Sequence, residues 1–159
     1  MHQRFKGFTL VEMMVTVAVL VIVVAIAVPS FNTLIAKSRA DTETGEFYRA
    51  LNYARLEAIN RGVSVRVTPG ASSNWSGDLK VALASDTTNI GTLKYVPALS
   101  SNSTLTPATA TGYLEFNNLG SLVYPAAAVA FTYLSGSITR YVVVCPNGRA
   151  ILNNGNACT

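Results

Sequence analysis

Lys6-Gly7-Phe8-Thr9-Leu10-Val11-Glu12 opens an uninterrupted apolar run that ends at Val28, and Glu12 is the only charged residue within 8–28. At ~1.5 Å per residue, a helix over 8–28 spans about 30 Å, the thickness of a bilayer hydrocarbon core. Arg4 and Lys6 precede the run and place its N-terminal end in the cytoplasm by the positive-inside rule. A carboxylate in such a segment costs roughly 2–3 kcal/mol at mid-membrane, less near an interface, and therefore calls for a partner.

Two plainer readings of this segment compete. Arg4 and Lys6 would serve as the n-region of a secretory signal peptide, with Ala25-Ile26-Ala27 as its cleavage site. Against that, Glu12 interrupts the early apolar region and Pro29 closely follows the cut. A plain single-span anchor leaves Glu12 unexplained.

At these residues the chain resembles the type IV pilin-like proteins. Gly7-Phe8-Thr9-Leu10-Val11-Glu12 matches the pattern cleaved by the inner-membrane prepilin peptidase. The resemblance implies cleavage between Gly7 and Phe8, N-methylation of Phe8, and pairing of Glu12 with the N-terminal amine of a neighbouring subunit during fibre assembly. Physically, a carboxylate and an ammonium in lipid offset each other's desolvation, whereas either alone is penalised. Pro29 falls where many members of the family carry a helix-kinking proline.

The rest of the 159-residue chain is read as one domain. Loss of residues 1–7, with Arg4 and Lys6, takes the formal charge from +4 to +2, too mildly basic to indicate a nucleic-acid binder by itself. Cys145 and Cys158 read as a disulfide if the domain lies outside the cytoplasmic membrane. A metal site is disfavoured because the only histidine, His2, leaves with the leader. A reactive thiol has little support, since Cys158 has no basic neighbour in sequence.

Helical periodicity continues past Pro29. Ile35, Phe47, Leu51, Ala54 and Ala58 recur at spacings of mostly three or four, widened by Tyr48, Leu56 and Ile59. Glu57 with Arg61, and Arg39 with Glu43, are i,i+4 pairs, and Gly62 is a C-cap. The helix is thus expected from Phe8 to about Arg61, bent at Pro29 and loosened near Gly45. The period then becomes two. Strands are expected at Val63–Thr68, Leu79–Ala84, Leu93–Val96, Tyr113–Phe116, Ser121–Tyr124, Val129–Leu134 and Thr139–Val144, with a hairpin turn at Ser135-Gly136. Residues 98–112, rich in Ser, Thr and Ala, read as an exposed loop.

The expected fold is α+β and type IV pilin-like: a long kinked N-terminal helix packed on an antiparallel β-sheet. Residues 1–7 are the leader, 8–28 the transmembrane and fibre-core half of the helix, and 29–62 its amphipathic half. Residues 63–159 are the periplasmic or extracellular β domain, with a C-terminal disulfide loop.

Three further segments resemble the GspH/FimT branch of minor pilins and pseudopilins. These are Ala54-Arg55-Leu56-Glu57-Ala58-Ile59-Asn60-Arg61-Gly62 before Val63; Trp75 with Gly77; and Phe116 with Gly120, then Tyr141–Val144 leading to Gly148-Arg149. Read from the residues alone, Arg55, Glu57 and Arg61 are a solvated or subunit-facing helix surface, Trp75 is a packing or loop-anchoring residue, and Gly120 and Gly148 are turn glycines.

The resemblance implies a minor pilin that takes part in pilus assembly or priming near the tip, with other major and minor pilins, the prepilin peptidase and the inner membrane as partners. It would sit single-pass in the inner membrane with a periplasmic C-terminal domain, then in the pilus at the cell surface. A second reading from the same branch is a type II secretion minor pseudopilin. A third is a DNA-binding minor pilin for natural transformation. Some proteins of the branch use a Gly-Arg-x-Arg motif, of which Gly148-Arg149-Ala150-Ile151 keeps one arginine. Arg149, Arg140, Arg66, Lys80 and Lys94 would then contact phosphates if they share a face. No enzyme, cofactor or metal is expected: the mature chain lacks histidine, and Asp78, Asp86 and Glu115 show no paired spacing.

Overall fold

The structure is a computed structural model that describes residues 7–71, 73–86, 91–153 and 158. His2, Arg4 and Lys6, in the expected leader, lie outside the described residues. The chain forms two compact units, Met1–Lys37 and Ser38–Thr159. One helix, α1 (Leu10–Arg61), belongs to both, and its assignment continues through Pro29 and Gly45 without a break.

Within the second unit the buried face of α1 is Ala40, Thr44, Phe47, Leu51, Ala54 and Ala58, at alternating spacings of four and three, with Ala50 beside it. The alanines lie buried against the core, and Phe47 and Leu51 supply its large apolar side chains from the helix. Tyr48 packs against this core, but Leu56 and Ile59, expected to widen the stripe, are exposed, as is Ile35 in the first unit. Gly62 ends the helix with φ +67°, and its N–H donates to Ile59 O at 3.3 Å. The left-handed conformation there suits glycine.

Among the described residues nine strands follow: β1 (Val65–Pro69), β2 (Leu79–Leu83), β3 (Thr92–Val96), β4 (Ser103–Pro107), β5 (Leu114–Phe116), β6 (Leu122–Tyr124), β7 (Val129–Ser135), β8 (Ile138–Val144) and β9 (Ala150–Asn153). They make two antiparallel sheets, ordered β3-β2-β1-β5-β6 and β4-β7-β8-β9, where the sequence suggested one. Alternation tells which side of a strand is buried, not which strand lies beside it, so the division was invisible in the pattern.

Two strands correct the sequence reading. β4 lies inside the expected loop 98–112; it buries only Ser103 and Leu105 and is otherwise Ser/Thr, so its apolar signal is faint. It is an edge strand, which tolerates Pro107 at its end. β9 is a four-residue strand that closes the other edge.

Both sheets and α1 share one core. Val65, Val67, Val81, Leu114 and Phe116 come from the first sheet; Leu105, Phe131, Tyr133, Val142 and Val144 come from the second. At its centre Phe47, Trp75 and Phe131 meet edge to face, with centroids 4.9–6.1 Å apart. The Trp75 indole N–H donates to Thr111 O at 2.8 Å, so the tryptophan both packs and anchors a loop.

Candidate processing and assembly site

Gly7, Phe8 and Thr9 precede the helix. A Cβ on Gly7 would meet nothing within 4 Å, so the fold itself does not require glycine there. Thr9 and Glu12 form a reciprocal capping box: Glu12 N–H donates to Thr9 Oγ1 at 3.2 Å, and Thr9 N–H donates to Glu12 Oε2 at 3.2 Å. The Thr9 hydroxyl also donates to Glu12 Oε2 at 3.3 Å. Two N–H groups that an α-helix leaves open are thereby satisfied, and the negative charge sits at the positive end of the helix dipole. The carboxylate is held over the backbone nitrogen of the second residue of the expected mature chain.

Beyond this turn the helix surface is apolar and open, and Phe8 itself is 81% exposed. The Thr16 hydroxyl donates to Met13 O at 2.9 Å, which removes its hydrogen-bonding demand from an apolar surround. By length and composition α1 is the one described helix able to cross a membrane.

The three segments that look unconnected in sequence meet at one place in the second unit. Arg55 Nε–H donates to Gly120 O at 2.9 Å. A Cβ on Gly148 would fall 1.7 Å from that same oxygen and 3.2 Å from Arg55 Nε; Gly120 and Gly148 both have φ +76°. Leu122 N–H donates to Pro146 O at 2.9 Å, joining the β5–β6 turn to the β8–β9 turn. Helix, first sheet and second sheet are thus stitched together by backbone contacts that no larger residue would permit. Arg55 is a structural clamp, not a solvated surface residue. Glu57 and Arg61 do form their exposed pair.

Glu43 departs from the expected pairing with Arg39. Its carboxylate accepts hydrogen bonds from the Ser100 hydroxyl and backbone N–H, and from Tyr133 OH at 2.8 Å, while Ser103 Oγ lies 2.9 Å from the same tyrosine oxygen. Burial works against its charge, but the hydrogen bonds from Ser100, Tyr133 and Ser103 outweigh it and hold Glu43 below the ordinary carboxylate range. Burial first, then Glu43, pushes the Tyr133 phenol upward.

The five basic residues considered for phosphate contact do not share a face. Arg66 and Lys80 lie on the outer face of the first sheet, where Arg66 is bound to Glu115 at 2.7 Å and stacks over Tyr113. Lys94 pairs in register with Val81 and so points to the opposite side, 5.5 Å from the Tyr53 ring. Arg140 is tied to Asp41 at 2.8 Å. Arg149 is exposed on the β8–β9 turn, beside the Cys145–Cys158 disulfide that pins the C-terminal segment to the end of β8. Among the described residues no group of metal-ligating side chains occurs.

Residues 43–148 match the family described as Type II transport protein GspH. The chain belongs to the GspH family. Residues 2–28 of this GspH-family protein also match the prokaryotic N-terminal methylation motif. It is 40% identical over 60 residues to the Type IV major fimbrial protein FimA of Dichelobacter nodosus, across 36% of this chain and 38% of that one, so it spans well under half the length of that relative. The fold is that of the type IV minor pilin FimU of Pseudomonas aeruginosa (TM-score 0.64, 19% identity, 77% of this chain and 90% of that one). It is likewise that of the minor pseudopilin EpsH from the Type 2 Secretion System of Vibrio cholerae (TM-score 0.54, 15% identity, 77% and 99%). The GspH-family chain therefore carries the pilin-like α+β fold.

Proposed function

We propose that this protein is a minor pilin of a type IV pilus, a structural subunit that takes part in assembly or priming near the tip. The observation that carries the reading is the junction at Gly7–Phe8. A glycine the fold does not need, an exposed Phe8 and a Glu12 held at the helix start stand in front of an uncovered apolar helix, within the methylation motif. Such a surface is stable only in lipid or against other apolar helices. The subunit would be cut by the prepilin peptidase, methylated at Phe8, held in the inner membrane with its β domain in the periplasm, and extracted into a fibre among other pilins. The Glu12 carboxylate would offset the new amine of a neighbouring chain.

Likeness to FimU in fold and to FimA in sequence supports the pilus reading. The family description and the likeness to EpsH favour a second reading, a type II secretion pseudopilin. Intact-mass analysis of the membrane-extracted chain, followed by proteomics of sheared surface fibres, tests the proposal. A chain that starts at N-methylated Phe8 and is present in the fibres supports it. A correctly processed chain absent from fibres, whose deletion stops protein secretion instead, would replace it with the pseudopilin reading.

A further inference from the structure

The β5–β6 turn presents a leucine to solvent on a rigid mount. Leu119 is 77% exposed, yet the turn beneath it is fully tied. Asn117 Oδ1 accepts the N–H groups of Leu119 and Ser121, Gly120 N–H donates to Asn117 O, and Arg55 holds Gly120 O. Ile59, 43% exposed, lies directly against Gly120, and Leu56, 56% exposed, is one helical turn before it. Arg149, beside Gly148 on the adjoining turn, is exposed and pairs with no carboxylate among the described residues. The folded unit therefore carries a pre-ordered apolar knob backed by a helix face, with the exposed Arg149 on the adjoining turn. Rigid apolar anchors of this kind lose little entropy on docking.

We propose that Leu119, Leu56 and Ile59 form the docking surface for a neighbouring pilin-type subunit, whose apposed surface is apolar with an acidic or carbonyl-rich border facing Arg149. The choice of occupant follows from size. Three aliphatic side chains expose on the order of a few hundred Å², well short of the ~800 Å² per partner that a free-standing complex buries. Such a patch works only when the partner is already held alongside. Anchoring both chains in one membrane or fibre makes the encounter intramolecular in effect and lets a small contact count. This inference rests on the pilin reading above for the identity of the occupant.

A single cysteine at position 119 tests it in the full-length chain within its own cells. The chain's two native cysteines are joined to each other, so Leu119→Cys introduces the only reactive thiol. With a short bis-maleimide, Leu119→Cys should give an adduct identified by mass as this chain plus a pilin-type subunit. Tyr95→Cys, exposed on the far edge strand β3, should give none. Leu119→Asp should lower the amount in sheared fibres at least tenfold without changing the amount of processed chain in the membrane. An accessible 119 thiol that forms no pilin-type adduct, equal adducts from position 95, or normal incorporation of Leu119→Asp would each overturn the inference. Loss of the wild-type chain from fibres overturns the pilus reading alone, because adducts in the membrane still decide the patch.

Discussion

Gly148 and Gly120 approach so closely that a Cβ on the first would lie 1.7 Å from the carbonyl oxygen of the second. No side-chain rotation relieves a clash between a Cβ and a backbone oxygen, and Gly148 also has φ +76°. Gly148→Ala should therefore destabilise the second unit by about 3 kcal/mol or more, from overlap and left-handed strain together. Thermal unfolding should fall by roughly 10 °C. A variant that melts with the wild type would mean the two turns are not in contact.

Arg55 supplies the third member of this junction through its bond to Gly120 O. Arg55→Ala should lower stability by about 1.5–3 kcal/mol, the range for a hydrogen bond to a charged group. Arg55→Lys should recover only part, because an ammonium cannot present the fixed Nε–H geometry. Denaturant midpoints of the three proteins rank the effects.

Glu43 makes stability depend on pH at the acid end. Its folded pKa is lowered, so its contribution is present above the ordinary carboxylate pKa near 4.5 and disappears as pH falls through the lower folded value. Wild-type denaturant midpoints should drop more steeply than those of Glu43→Gln as pH falls below about 4.5. Parallel curves would remove Glu43 from that role.

At the N-terminus, cap and charge are separable. Glu12→Gln keeps an oxygen for the Thr9 N–H but loses the charge, whereas Thr9→Ala loses the hydroxyl that receives the Glu12 N–H. If charge pairing governs assembly, Glu12→Gln and Glu12→Ala should both process normally at Gly7–Phe8 yet enter fibres at least tenfold less often, with Thr9→Ala affected mildly. Quantified immunoblots of sheared fibres against membranes distinguish the variants.

Removing the disulfide should be costly without abolishing the core. Cys145 and Cys158 are 13 residues apart, and opening such a loop forfeits roughly 3 kcal/mol in the chain-entropy picture. A Cys145→Ser, Cys158→Ser double variant should unfold at lower denaturant, with a slope no smaller than the wild type's because the unfolded chain expands.

The sequence reveals what local physics determines. Gly62 marks the helix end, the Val63–Val67 alternation announces β1, and the Glu12 interruption distinguishes the apolar run from an ordinary signal. What it conceals depends on distant partners. The Ser/Thr-rich β4 looks like a loop because Leu105 is its only buried apolar side chain, and its place in a sheet comes from β7. Glu43 sits four residues from Arg39 but is claimed by Ser100 and Tyr133, far along the chain. Leu56 and Ile59 fit the helical period yet face outward, because Arg55 and Ala58 occupy the inner positions. Gly120 and Gly148 read singly as turns; only the fold shows that each exists to admit the other.

The seating of α1 in a core shared by two sheets also has a mechanical meaning. Tension applied along a filament of such subunits would enter the β domain through the helix, at Phe47, Leu51 and Ala54. There it would be carried by one core drawn from both sheets, with Arg55 tied to the β5–β6 turn. If the chain does serve in a filament, a load shared by a single core leaves no separate layer to part first.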